Sequence, residues 1–313
     1  VLLGACDGVV LGLLGALVDQ DKTNVGLIAH NRGDAGVEPY VVVLGYIVIV
    51  ARGLGAAALA KEAVPEAALV EAVVVVLLQD ELRRGGVSEV EACNNLRRGI
   101  RPPNSGRFNP YHQSDGAAMR SGPIGIYCAG DPEKAKYLAR VDAEVSHSEE
   151  GIWGAQAVAV AVSLAMVDAD MDQIWAGVMD CAPKGSWFEE TLNRAATIVE
   201  HSGGSVAEAW MPLHNDLFST HRSTVCEALP EVFGCLKLKH DSFKSGLLLA
   251  CNFGRDADTI GAVAGAVLGA RYGAHSIPQH WITKTRYPSG TCLSFTKGID
   301  ILEYADKIAA LMK

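Results

Sequence analysis

Asn252 to Gly273 reads NFGRDADTIGAVAGAVLGARYG, and the rest of the chain is read outward from it. The stretch begins polar, with Asp256, Asp258 and Thr259 offering three oxygen donors within four residues. It continues through Gly261, Ala262, Ala264, Gly265, Ala266, Gly269 and Ala270, small residues at helical spacing. Small side chains let a neighbouring helix approach closely, so the segment predicts a buried, central helix over 257–272. A helix N-terminus favours negative charge, and clustered carboxylate oxygens suit a hard cation such as Mg2+. The same residues also make an ordinary helix start, with Asp256 as the N-cap and Asp258 as a first-turn dipole partner.

The 313 residues are 49% hydrophobic but only 6% aromatic, with 33 glycines. Such a core is built from Ala, Val, Leu and Gly, which fits closely packed helices. The length allows one large domain or two small ones. A net charge of −9 argues against general affinity for nucleic acid or an anionic membrane, while leaving room for a local anion pocket. The eight cysteines are scattered singly. Neither a zinc site nor a disulfide framework is expected, and a reducing, cytoplasmic setting is the default. The apolar run 1–18 lacks a basic start and contains Asp7, unlike a signal peptide. The run from Val41 to Ala51 is too short to span a bilayer.

Gly4, Gly8, Gly12 and Gly15 give residues 1–18 a close-packing helix face. Residues 19–40 read as a loop and 41–60 as an apolar stretch. Residues 64–84 predict a helix with Pro65 in its first turn, although Val73 to Val76 would favour a strand in isolation. Residues 100–116, with Pro102-Pro103, read as a long loop. Asp131-Pro132-Glu133 opens a helix as N-cap, first-turn proline and acidic first turn. A second helix follows over about 152–166, with His147 on the connection. Further helices are expected at 170–181, 186–201, 224–236, 240–251 and 299–312. Few alternating strands and no repeat are found, so 1–313 is read as a single all-α domain, an orthogonal multi-helix bundle.

Gly254-Arg255-Asp256-Ala257-Asp258-Thr259 followed by a small-residue helix resembles the late signature G-[GR]-D-x-D-[ST] of the ADP-ribosylglycohydrolase family. Gly116-Ala117-Ala118-Met119-Arg120, with Pro123 and Gly125, resembles that family's G-N-G-[AS]-[AL]-M-R-x-x-P-[IL]-G. Ser146-His147 is similar to its [ST]-H, and the likeness continues through Ser276 to Trp281 over nearly the whole chain. The resemblance implies hydrolysis of an N- or O-glycosidic bond to ADP-ribose beside a pair of Mg2+ ions. It implies Asp256 and Asp258 as catalytic acids, and Asp256, Asp258 and Thr259 as metal ligands. It further implies that Asp115, Gly116, Ala117, Met119, Arg120, His147, Gly254 and Arg255 line the site of ADP-ribose or an ADP-ribosylated substrate. Asp115 stands at the motif's Asn position, which adds a negative charge beside a polyphosphate. Read without the family, the 115–120 stretch is a capping turn with Arg120 in a surface salt bridge, and His147 is a capping or surface residue. Glu149 and Glu150 read as a solvated helix start, and the other histidines as structural or surface residues.

One departure divides the functional expectation. The family's first metal motif, T-D-D-T, falls by position on Val41, Val42, Val43 and Leu44, none of which can ligate a cation. Val9 replaces a further acid in the first helix. Two close cations repel and need carboxylates to offset that, so one weakly bound Mg2+ or none is expected. A working ADP-ribosyl hydrolase therefore stands against an inactive member with a binding or crystallin-like structural role. The intact late motif and ligand loop tip the reading towards the hydrolase. As near-isosteres of Asp and Thr, Val42 and Val43 are expected to point at Asp256 and Asp258.

Overall fold

The structure, a computed structural model, describes residues 66–79, 86–289 and 297–309. The expected first helix with Val9, the 19–40 loop, the 41–60 stretch and Val41 to Leu44 lie outside the described residues, as do the ends of the 64–84 and 299–312 helices.

In chain order the helices are α1 (Glu66–Gln79), α2 (Val87–Arg97), α3 (Asn104–Arg107), α4 (Gly116–Met119), α5 (Gly122–Tyr127), α6 (Pro132–Ala143), α7 (Glu150–Ala165), α8 (Met171–Met179), α9 (Trp187–His201), α10 (Val206–Asp216), α11 (Val225–Leu238), α12 (Phe243–Asn252), α13 (Ala257–Tyr272), α14 (Gln279–Thr285) and α15 (Ile301–Ala309). Among the described residues there is no strand, only one isolated antiparallel bridge between Ser114 and Thr224. The all-α expectation holds. Val73 and Val74 are helical and buried, because packing outweighs their β-branched preference. Asp131 caps α6 as expected, accepting from Lys134 N at 3.0 Å.

Helix α13 forms the centre, and every residue from Thr259 to Ala270 is buried. It packs against α12, α7 and α11, with further contacts to α4, α5 and the 274–276 turn. The small residues permit this. A Cβ on Gly261 would stand 2.6 Å from Cys251 Sγ of α12, and one on Gly122 would stand 3.3 Å from Ala266 Cβ. The second central helix, α7, is as apolar and packs against α6, α8 and α5. The cysteines described are free. No helix among the described residues is long and apolar enough to cross a membrane.

Two local expectations fail. The 100–116 loop contains the α3 turn, because Gly106 lies against the backbone of His147 with no room for a Cβ. Glu150 is not wholly solvated: Glu149 is exposed, but Glu150 Oε2 is buried as α7 turns inward.

Candidate active site

The turn into α13 is the hinge of the site. Gly254 (φ 93°) and Arg255 (φ 51°) both adopt left-handed backbone, which turns the chain sharply before the helix. Arg255 holds this costly conformation through Nε to Glu227 Oε1 (2.5 Å) and a terminal nitrogen to the Ser219 carbonyl (2.8 Å). Asp256 stands at the N-cap position but makes no capping bond. Its buried side chain faces the 115 turn instead. Asp258 is exposed and Thr259 buried.

The opposing wall is the start of α4. Asp115 N donates to the Ser223 carbonyl (2.9 Å) and Val225 N to the Gln113 carbonyl (3.0 Å), pinning loop 111–115 to loop 219–224. Asp115 is buried, and its Oδ2 has no hydrogen-bond partner. Burial, then the charge of Asp256 and a hydrogen bond to it, then Glu89 and Asp258, hold its carboxyl well above the usual range. A neighbouring carboxylate and burial thus both oppose the negative charge expected at this position.

Behind Asp115 lies a closed polar network. The buried Arg120 gives Nε to Asp142 Oδ2 (2.7 Å), one terminal nitrogen to Glu89 Oε1 (2.9 Å) and the other to Ser146 Oγ (2.9 Å). His147 Nδ1 meets Ser146 Oγ (2.7 Å) and its Nε2 meets Ser114 Oγ (3.0 Å). Ser114 donates to Ser88 and Ser88 to Glu89, closing the ring. Neither Arg120 nor His147 is a surface group, which overturns the surface readings of both. Burial pushes the His147 imidazole down to about 4, against the pull of Glu89, so it is neutral at pH 7. Burial opposes the Glu89 charge, but His147, Arg120 and the Ser88 hydroxyl more than offset that and hold it below its ordinary range. Gly116 sits directly on Glu89, and a Cβ there would overlap its carboxylate. Ala117 is buried and Met119 half-buried beside it.

A second acidic element was not anticipated. Glu227 and Glu231, one turn apart on α11, are both fully buried. Glu227 is satisfied by Arg255 and by Ser219 N (2.6 Å), while both Glu231 oxygens lack partners. Burial, then repulsion by Glu227, raises Glu231 to about 9. The signal available in the sequence was an i, i+4 acid pair in the otherwise apolar VCEALPEVFGCL. Glu89 and Asp142 carried no comparable signal, since both sit in ordinary helical context.

Two further features bear on ligands. A cavity of about 660 Å3 borders His147 and is lined by Arg107, His112, Arg140, Glu149 and Trp153 among others. Among the described residues no three His, Cys, Asp or Glu side chains converge as a metal cage. The unpartnered Asp115 Oδ2 beside Asp256 offers carboxylate oxygen to a hard cation.

The sequence model of a family described as ADP-ribosylglycohydrolase matches residues 44–313. An uncharacterized protein of Archaeoglobus fulgidus is 30% identical over 207 residues, covering 66% of this chain and 63% of its own. The ADP-ribosyl-[dinitrogen reductase] glycohydrolase of Rhodospirillum rubrum is 52% identical over 44 residues, 14% of this chain and 15% of that one. An ADP-ribosylarginine hydrolase of Pseudomonas putida is 24% identical over 186 residues, 58% of this chain and 44% of that one. The chain thus spans less than two thirds of the length of these relatives. A solved structure titled "ADP-ribosylglycohydrolase-related protein complex" superposes with a TM-score of 0.56 at 19% identity, covering 99% of this chain and 95% of that one, a likeness of fold.

Proposed function

The chain belongs to the ADP-ribosylglycohydrolase family, and we propose that it hydrolyses the N- or O-glycosidic bond joining ADP-ribose to a modified acceptor. The observation that carries this reading is the contact between two buried carboxyl groups, Asp115 with an unpartnered Oδ2 and Asp256, at the turn into α13. Glycoside hydrolysis needs one carboxylic acid to donate a proton and one carboxylate to receive one. Asp115 supplies the donor, to the leaving nitrogen or oxygen. Asp256, with the exposed Asp258 beside it, takes a proton from the attacking water. The water oxygen bonds to the anomeric carbon as the glycosidic bond breaks, which yields free ADP-ribose and the unmodified acceptor.

Arg120 and His147 act as positioning residues in this scheme. Both are buried, and they brace Glu89, Ser114 and through them the Asp115 turn. The cavity beside His147 has the size and the Trp153 ring to take the nucleotide half of the ligand. A Mg2+ ion held by Asp256, Asp258 and Thr259 would supply positive charge against the ribose hydroxyls.

The test is release of ADP-ribose from an ADP-ribosylated arginine peptide in the presence of Mg2+, arginine being the linkage for which a relative is named. We expect Asp256→Asn to lower the rate by at least about 100-fold while the melting temperature holds. The competing reading, an inactive member retained for binding or bulk structure, draws on the absence of a three-ligand cluster among the described residues. It prevails if the protein releases no ADP-ribose from arginine, serine or other linkages and peptide mass spectrometry confirms valine at 42 and 43.

A further inference from the structure

Loop 217–224, LFSTHRST, forms the rim of the site opposite the Asp115 turn. It is braced along its length. Ser219 N donates to Glu227 Oε2 (2.6 Å), Thr224 N to the His221 carbonyl (2.9 Å), and Ser223 accepts from Asp115 N. Arg222 therefore projects from a fixed base. Its side chain is 64% exposed, and its Nε lies 3.7 Å from Asp256 Oδ1. Its terminal nitrogens make no hydrogen bond to a described residue, so the planar fork stands open. So exposed a pair contributes little, and stability does not account for it.

The neighbours sharpen the contrast. Arg255 is consumed by Glu227 and the Ser219 carbonyl and lies over the exposed Phe218 ring at 4.3 Å. The Tyr111 and His221 rings sit 6.2 Å apart on the same rim. Below are Asp256, Asp258 and Glu227, acids that repel an anionic ligand unless a cation intervenes.

We propose that Arg222 determines specificity by binding the diphosphate of an ADP-ribosyl substrate, an inference that rests on the function proposed above. The guanidinium fork takes two phosphate oxygens in short, charge-assisted bonds and gives up its long contact with Asp256. A substrate lacking the diphosphate forgoes these bonds and binds more weakly.

Calorimetric titration of the full chain with ADP-ribose, with Mg2+ and with a chelator, tests this. Arg222→Ala is expected to bind at least about tenfold more weakly, with a flatter dependence of Kd on salt and an unchanged melting temperature. Arg222→Lys restores part of the affinity, because it keeps the charge and loses the fork. Undiminished binding by Arg222→Ala, or an equal loss in Arg222→Lys and Arg222→Ala with no change in salt dependence, overturns the inference alone. No binding of ADP-ribose by the unaltered protein overturns the proposed function and the inference with it.

Discussion

At the scale of single residues, the load falls on Arg120. It is a buried charge whose three nitrogens each reach a fixed acceptor, and its removal strands Asp142 and Glu89 in the interior. Breaking a buried pair from one side costs about 3–5 kcal/mol, and Arg120→Ala should lose that much in urea unfolding. Arg120→Lys should recover little, since an ammonium cannot reproduce the fork. The motif around Arg120 was legible in the sequence, but its direction was not. G-A-A-M-R marks a tight turn wherever it faces. Only the placement of α2 and α6 turns the guanidinium inward to Glu89 and Asp142.

At the scale of elements, α11 carries the least comfortable group. Glu231 has no partner for either oxygen and is faced by Glu227, Arg255 and Asp256. Its folded value, about 9, lies above the ordinary value near 4.5. The folded state therefore holds a proton that the unfolded chain releases, and stability falls as pH rises from about 4.5 to about 9. Glu231→Gln removes the titration. It should raise the unfolding free energy at pH 8 more than at pH 5, by an amount on the order of a few kcal/mol, and flatten the profile between. His147 runs the other way. Its folded value of about 4 lies below 6.5, so its contribution is present above 6.5 and fades as the pH falls towards 4. Differential scanning calorimetry separates the two above pH 6.5, where only the Glu231 contribution changes and Glu231→Gln removes it.

At the scale of the molecule, α13 joins the core to the chemistry. Its small-residue face seats α12 and α7, and the turn at its N-terminus presents Asp256 to loops from two distant parts of the chain. A cation bound there would be felt as stability of the whole fold. With a sparse donor set, millimolar Mg2+ should raise the unfolding free energy by less than about 1 kcal/mol. Asp256→Asn should abolish that rise in a thermal-shift measurement. A complete lack of response to Mg2+ in the unaltered protein would remove the cation from the proposed mechanism.

The sequence by itself determined the helical class, the limits and central burial of α13, and the acids gathered at its start. These follow from local spacing: small residues at each turn admit close neighbours, and a polar turn precedes an apolar run. What only the tertiary structure decided is the state of those acids and the partners of the basic groups. The Asp115 carboxyl is held above its usual range because burial and Asp256 both act on it. Arg120 and His147 became interior props because α2, α6 and the 114 loop closed over them. Arg222 was left at the rim because its loop is stitched to the Asp115 turn. Each outcome depends on burial and on charges far apart in sequence, and spacing along the chain carries no information about either.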